Sequence, residues 1–158
     1  MRRRWIGWML VSLGVVGAGT FAVWAEEKGK EEDEQEVSTN QVPAKAREAL
    51  MKLAGQAKII KFEREKKHGI DTYEGEWKVN GHEQGAVVTA DGALVETEEE
   101  IDVKDVPEVV QKAAAKALEG ATKLSYEKHT VVMYEVEGKV LGIERGVTIY
   151  PTGKVAKR

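Results

Sequence analysis

The chain contains no cysteine, so no disulfide bond can stabilise its fold and no thiolate can serve as a nucleophile or a metal ligand. Proline and histidine are also scarce, with three residues each. The glycines near the start of the chain are followed by no lysine in the spacing of a phosphate-binding loop. A formal net charge of −3 argues against nucleic acid as a partner. The fold must therefore be held by its core alone.

Residues 1–25 have the pattern of a secretory signal peptide. Arginines at positions 2 to 4 precede an apolar run over residues 5–24, and the run ends at Ala25 before an abrupt change to acidic sequence at Glu26. An uncleaved membrane anchor is the alternative, because the apolar run is close to the length that spans a bilayer. We expect cleavage after Ala25 and a secreted or periplasmic protein.

The stretch that follows, residues 26–41, is rich in Glu and Lys and has almost no apolar residue. Such a segment cannot bury enough surface to offset its chain entropy, which predicts an acidic disordered tether. An ordered cation site in this stretch is the less favoured alternative. We expect one folded domain over residues 42–158, with a first repeat at 42–101 and a second at 102–158.

The domain is built from an internal repeat, because the pattern of residues 73–94 returns in residues 134–155. Identical positions in the two copies are Tyr73, Glu74, Glu76, Lys78, Val79, Gly81, Glu83, Gly85 and Gly92 in the first, and Tyr134, Glu135, Glu137, Lys139, Val140, Gly142, Glu144, Gly146 and Gly153 in the second. Alternating apolar and polar residues around Asn80-Gly81 predict a β-hairpin. Leu141-Gly142 makes the corresponding, poorer turn.

A two-residue turn fixes the strand register of each hairpin. The first copy is expected to pair Val79 with His82, Lys78 with Glu83, Trp77 with Gln84, Gly75 with Ala86 and Tyr73 with Val88. The second is expected to pair Val140 with Ile143, Lys139 with Glu144, Val136 with Val147 and Tyr134 with Ile149. One face of each hairpin is then apolar, with Trp77 in the core, and the other carries Glu and Lys side chains.

A helix precedes each hairpin. Val42-Pro43 opens the first helix, which Gly55 ends, and Val106-Pro107 opens the second, which Gly120 ends. The apolar positions of the second helix are Val109, Val110, Ala113, Ala114, Ala117 and Leu118. The pattern predicts an α+β fold, a tandem repeat of helix plus antiparallel β-strands. We expect the two repeats to join in one curved sheet with helices on one face.

A leader followed by two copies of a Val-Pro helix, a strand and a Tyr-Glu-x-Glu hairpin ending in Asp-Gly or Thr-Gly resembles the PepSY-like proteins, grouped with β-lactamase inhibitory protein-like domains. The resemblance covers residue 42 to the C-terminus. It implies a tandem helix-plus-sheet fold and an inhibitory or regulatory binding role outside the cytoplasm. It carries over no functional residue, because only framework positions match.

Catalytic and metal-ligating patterns are weak in this sequence. His68 and His129 are predicted at equivalent hairpin bends and His82 beside a turn, so turn positions are favoured over metal ligands. Glu74 and Glu76 are predicted on a solvated strand face, where no apolar pocket raises a pKa. We therefore expect no catalytic residue, no metal site and no cofactor, and a protein that is not an enzyme.

The favoured function is a non-catalytic binding module that uses its open sheet face, and an inhibitor or regulator of a protein or peptidase is the specific form of it that we consider. The proposed binding residues are Val131, Met133, Glu135 and Tyr150, with Val87 as a further apolar residue on that face. A protein or peptide outside the cytoplasm is the expected partner, and a membrane only if the leader is retained. The alternative is a small-ligand or cation sensor that uses the acidic face.

Overall fold

The computed structural model describes residues 32–156, so the predicted signal peptide and residues 26–31 of the predicted tether lie outside the described residues. Within this range the fold is mixed α+β, with two α-helices and antiparallel strands, which confirms the predicted class. No helix among these residues is long and apolar enough to cross a membrane. The elements are β1 (Glu32–Glu36), α1 (Ala44–Ala54), β2 (Lys61–Lys67), β3 (Ile70–Val79), β4 (His82–Thr89), β5 (Leu94–Ile101), α2 (Glu108–Ala117), β6 (Tyr126–Val131), β7 (Tyr134–Val140) and β8 (Ile143–Ile149).

The core lies in the first repeat, where α1 packs on one face of β3 and β4. Helix α1 begins after Pro43 and ends at Gly55, as predicted, and it buries Ala46, Leu50 and Ala54. The strands contribute Tyr73, Trp77, Ala86 and Val88 to the same cluster. Trp77 is 5% exposed, which confirms its assignment to the core.

Both predicted hairpin registers are confirmed, residue by residue. The first turn places Asn80 at φ 52° and Gly81 at φ 90°, and the second places Leu141 at φ 53° and Gly142 at φ 80°. Leucine has no side-chain group that compensates this left-handed conformation locally, and here its side chain is almost fully exposed. The ion pair of Lys78 with Glu83 is 2.8 Å long.

The prediction of a disordered tether is wrong for residues 32–41. Residues 32–36 form β1, which pairs with β2, and a short 3-10 helix follows at Thr39–Gln41. Arg64 donates a hydrogen bond to Gln35, and the amide of Val37 donates one to Phe62. Val37 and Val42 then bury their side chains in the core. Val37, within the predicted tether, and Val42, directly after it, anchor the segment in the core, and β2 provides the backbone partners.

The prediction of one continuous sheet is not confirmed. Among the described residues, β1 to β6 form a six-stranded sheet in sequence order, whereas β7 and β8 form a two-stranded sheet of their own. Ten residues separate Phe62 from Tyr73, but only seven separate their counterparts Tyr126 and Tyr134. The second repeat therefore lacks the length of chain that forms the β2–β3 hairpin.

The turn chemistry is lost along with the length. In the first repeat His68 and Gly69 reverse the chain at φ 58° and φ 85°. The second repeat has Thr130 and Val131 in this region, and β-branched residues rarely adopt a positive φ. The chain instead continues along β5, where the amide of Val132 donates to Val95. Strand β7 consequently starts beyond the sheet instead of beside β6.

The expectation that both helices cover the sheet is wrong for α2. Helix α2 forms after Pro107, but it ends at Ala117, short of Gly120, and buries none of its residues. Val109, for example, is 73% exposed. The reason is the departure of β7 and β8, since these are the strands that a helix in this position would cover.

Candidate functional site

The face of the six-stranded sheet opposite α1 is formed by the alternate residues of β2 to β6, and we call it the acidic face. It lines a cavity of about 420 Å³. Charged residues lining this cavity are Glu34, Lys61, Glu63, Glu65, Lys67, Glu74, Glu76, Glu83, Glu96, Glu98, Glu127 and His129. Carboxyl groups greatly outnumber lysines, so the cavity concentrates negative charge.

Glu74 lies at the centre of the acidic face, between Glu63 on β2 and Val87 on β4. Glu74 is 8% exposed and Val87 is fully buried. Burial raises the pKa of Glu74 to about 9, and the charges of Glu98 and Glu76 add to this rise. The prediction of a solvated face with no raised pKa is therefore wrong. The same burial corrects the assignment of Val87 to an exposed apolar surface.

A first carboxylate trio consists of Glu63, Glu74 and Glu76, each of which offers an oxygen within 4.8 Å of the others. Nζ of Lys61 lies 2.6 Å from Oε2 of Glu63 and 3.2 Å from Oε1 of Glu76. Burial raises the pKa of Glu76, although the charge of Lys61 acts in the opposite direction. One lysine thus balances only part of the charge of the trio.

A second trio consists of Glu96, Glu98 and His129, with ligand atoms within the same 4.8 Å limit. Nδ1 of His129 lies 2.7 Å from Oε1 of Glu96 and 3.7 Å from Oε1 of Glu98. Burial and the charge of Glu127 raise the pKa of Glu98 to about 7. Burial alone would raise the pKa of Glu96 too, but hydrogen bonds with Lys67 and His129 lower it.

Between the trios, Lys67 reaches Oε2 of Glu96 at 2.7 Å and Oε1 of Glu65 at 3.2 Å. The second contact is an ion pair without hydrogen-bond geometry, so Oε1 of Glu65 is buried without a hydrogen-bond partner within residues 32–156. Burial raises the pKa of Glu65 against the opposing charge of Lys67.

The position of His129 corrects the prediction of equivalent hairpin bends. His129 lies within β6, paired with Glu98 on β5, because the second repeat has no turn there. His68 does occupy the β2–β3 turn, and His82 directly follows the β3–β4 turn, as predicted. The missed signal was the repetition of Glu-x-Glu in β2, β3 and β5, which places paired carboxyl groups on one face of three strands.

The proposed binding residues lie on different elements. Val131 ends β6, paired with Glu96, and is 46% exposed, while Met133 lies between β6 and β7 and is 53% exposed. Glu135 pairs with Thr148 in the two-stranded sheet. The ring of Tyr150 lies 4.2 Å from that of His68, centroid to centroid, at the β2–β3 turn.

The arrangement of the acidic face suits a hard cation. Oxygen ligands are those that Ca²⁺, Mg²⁺ and Mn²⁺ prefer, and the first trio offers oxygen alone. The second trio adds an imidazole nitrogen to two carboxylates. Cation binding would displace the protons that the raised pKa values of Glu74 and Glu98 retain.

No family model and no curated protein matches the chain. Solved structures with some similarity include a DUF2874 family protein from Bacteroides uniformis, with 17% identity, a TM-score of 0.44, and coverage of 73% of this chain and 86% of that one. A protein of Bacteroides eggerthii, provisionally described as periplasmic, has 18% identity, the same TM-score and the same coverage. A protein of Bacteroides thetaiotaomicron, provisionally described as calcium-regulated and periplasmic, has 16% identity, a TM-score of 0.35, and coverage of 78% and 94%. The resemblance to PepSY-like proteins is not confirmed by a family match.

Proposed function

We propose that this chain is a non-catalytic binding module that acts outside the cytoplasm and binds a divalent cation on its acidic face. The observation that carries the proposal is the crowding of Glu63, Glu74 and Glu76, three carboxyl groups from two strands within 4.8 Å of one another. The signal-peptide pattern of residues 1–25 supports the location.

Electrostatics gives the physical reason. Neighbouring carboxylates cannot all ionise in a buried place. Glu74 retains its proton until the pH approaches its pKa of about 9. A divalent cation would replace both this proton and the mutual repulsion with direct attraction. Lys61 and Lys67 already hold the outer carboxylates in place, so the face is ordered before the cation arrives.

Isothermal titration with Ca²⁺, Mg²⁺ and Mn²⁺ at pH 7.5 tests the proposal. We expect a dissociation constant on the order of 10⁻⁴ to 10⁻³ M for Ca²⁺, the range of extracellular calcium modules. The substitution Glu74→Gln should weaken binding at least tenfold, whereas Glu48→Gln, which removes an exposed carboxylate from α1, should not change it. Heat signals that are absent, or that are equal in the two variants, would refute cation binding at this site.

A second candidate function is binding of a protein or peptide, as the PepSY-like resemblance implies for an inhibitor or regulator. The supporting observation is the exposure of Val131 and Met133, two large apolar side chains beside the acidic face. Glu135 and Tyr150 complete the proposed surface. We include in this proposal the tandem helix-plus-sheet fold that the PepSY-like resemblance implies.

Capture of partners from the native extracytoplasmic fraction tests the second candidate. Met133→Lys combined with Tyr150→Ala should remove captured partners without loss of folded structure by circular dichroism. Met51→Lys changes an equally exposed methionine on α1 and serves as the control, since its capture profile should match that of the unmodified protein. An unchanged profile in the folded double variant would rule out this surface.

A further inference from the structure

The second repeat leaves open the apolar faces that the first repeat buries. Tyr73 is 8% exposed and Ala86 is fully buried, yet their counterparts Tyr134 and Val147 are 56% and 41% exposed. On the helix side, none of the residues of α2 is buried, whereas α1 buries three. An open face of this kind needs an occupant, because exposed contiguous apolar surface marks an interaction site.

The first repeat shows which kind of segment covers such an apolar face. In the first repeat, helix α1 covers the β3–β4 hairpin, and a Cβ built on Gly75 would lie 3.4 Å from Cδ1 of Leu50. The helix residue at this contact, Leu50, is large, and the strand residue, Gly75, is the smallest amino acid.

At the corresponding positions of the second repeat the sizes are exchanged, with Ala114 on α2 and Val136 on β7. Another pair of core positions shows the same exchange, since Ala54 and Trp77 correspond to Leu118 and Gly138. Compensating volumes are expected only where the two surfaces pack together. Helix α2 is therefore shaped to cover a β7–β8 hairpin.

Two strand edges are open in the same region. Strand β6 is the last strand of the six-stranded sheet, and β7 pairs only with β8 among the described strands. Their counterparts in the first repeat, β2 and β3, pair with each other. An unpaired edge can pair with another strand. By its sequence, β7 is the strand that corresponds to β3, the neighbour that β6 lacks.

The chain's own hairpin is poorly able to fill this place. Pairing Tyr126 with Val136 in the manner of Phe62 with Gly75 would require reversal within residues 129–133. That stretch contains Thr130, Val131 and Val132 and has no Gly, Asn, Asp or Pro. Such residues disfavour a tight turn and favour extended chain. The hairpin of a second copy can occupy the place while residues 129–133 stay extended.

We propose that two copies of this chain exchange their β7–β8 hairpins, so that β7 of each copy pairs with β6 of the other and lies under the other's α2. A twofold arrangement makes both exchanges identical and closes the assembly at a dimer. It joins the two repeats in one sheet across the two chains. In the register of the first repeat, Glu135 of the second copy lies beside Glu127 and extends the acidic face.

Engineered cysteines test the exchange directly, since the natural chain has none. The variant with Ala114→Cys and Val136→Cys, oxidised after purification, should run as a covalent dimer on a non-reducing gel and revert on reduction. The matched control is Leu50→Cys with Gly75→Cys. Its Cβ atoms would lie 3.5 Å apart, within the disulfide range of about 3.5 to 4.5 Å, and its bond should form within one chain.

Sedimentation of the unmodified protein should show a dimer at micromolar concentration. A monomer would overturn the exchange. A disulfide between positions 114 and 136 that forms within one chain would overturn it in favour of self-closure. A dimer in which this disulfide does not form would place the interface elsewhere and overturn it equally.

A hinge variant keeps the test independent of the cysteines. Replacing residues 127–133 by the sequence of residues 63–72 restores the length and the His-Gly turn of the first repeat. This chimera should sediment as a monomer, since each hairpin can then fold back onto its own β6. A chimera that remains fully dimeric would show that the hinge does not drive the exchange. Circular dichroism establishes that the chimera is folded.

Discussion

The carboxyl group of Glu74 occupies the space above Gly85, where a side chain would otherwise stand. A Cβ added to Gly85 would lie 3.0 Å from Oε1 of Glu74. The glycine thus makes room on β4 for a carboxyl group from β3, and the neighbouring Val87 closes the space beside it. This local packing explains why a glutamate on a sheet face is buried.

Replacing Glu74 by Gln is expected to stabilise the protein at alkaline pH when a chelator has removed divalent cations. The pKa of Glu74 rises on folding from its ordinary 4.5 to about 9, so the folded state binds the proton more tightly. The contribution of Glu74 to the free energy of unfolding is therefore fully present below pH 4.5 and is lost as the pH rises toward 9. Urea unfolding at pH 8 should show a gain of about 1 to 3 kcal/mol for Glu74→Gln.

The same variant should show little gain at pH 4, where Glu74 carries a proton in both states. Glu48→Gln provides the control, because it removes an exposed carboxylate from α1. Parallel pH profiles for the unmodified protein and Glu74→Gln would contradict the burial of this carboxyl group.

His68 and His129 should titrate on opposite sides of the ordinary imidazole pKa of 6.5. Burial lowers the pKa of His68, and the charges of Lys154 and Lys67 act in the same direction. Burial alone would lower the pKa of His129 as well, but its hydrogen bond with Glu96 and the nearby carboxylates raise it. NMR titration of the ring protons measures both values.

The variant Glu96→Gln should lower the pKa of His129 and leave that of His68 unchanged. Because the folded pKa of His129 is raised, its stabilising contribution is present below pH 6.5 and disappears as the pH rises through the folded value. Coincident titration of the two histidines would contradict the placement of His129 beside Glu96 and Glu98.

Gly92→Ala is expected to destabilise the protein more than Gly81→Ala. Both glycines have a φ near 90°, so alanine has an unfavourable backbone conformation at either place. A Cβ on Gly92 would also lie 2.9 Å from the carbonyl oxygen of Lys45 on α1, whereas a Cβ on Gly81 would meet no atom of the described residues within 4 Å. Thermal unfolding should place Gly92→Ala at least about 1 kcal/mol below Gly81→Ala. Equal losses would mean that α1 does not approach this turn.

Leu141→Asn is expected to stabilise the β7–β8 hairpin by about 1 kcal/mol, because asparagine tolerates the left-handed conformation better than leucine does. The leucine side chain is 98% exposed, so little burial is lost. The reciprocal change, Asn80→Leu, should destabilise the first hairpin by a similar amount. Chemical unfolding of both variants provides the measurement, and a loss of stability in Leu141→Asn would show that Leu141 has an apolar partner.

Short-range features of the fold were predictable because their causes are local. Asn80-Gly81 sets the first hairpin register through its turn geometry, and Val42-Pro43 and Gly55 mark the ends of a helix. The site was predictable only in part. Sequence reasoning recognised Glu74 and Glu76 as one pair on a strand face, but their pKa values depend on which strands lie beside them.

The amino-acid sequence by itself determined the α+β class, the internal repeat, the hairpin registers and the apolar faces, since each follows from residue periodicity or from a two-residue turn. The tertiary structure alone decided that β1 is ordered, that Glu63 and His129 join the acidic face, and that the second hairpin leaves the sheet. These outcomes depend on pairing between residues distant in sequence. They also depend on the length of the second repeat, which is three residues shorter than the first near Thr130. This difference matters only where a strand must reverse to pair with its neighbour.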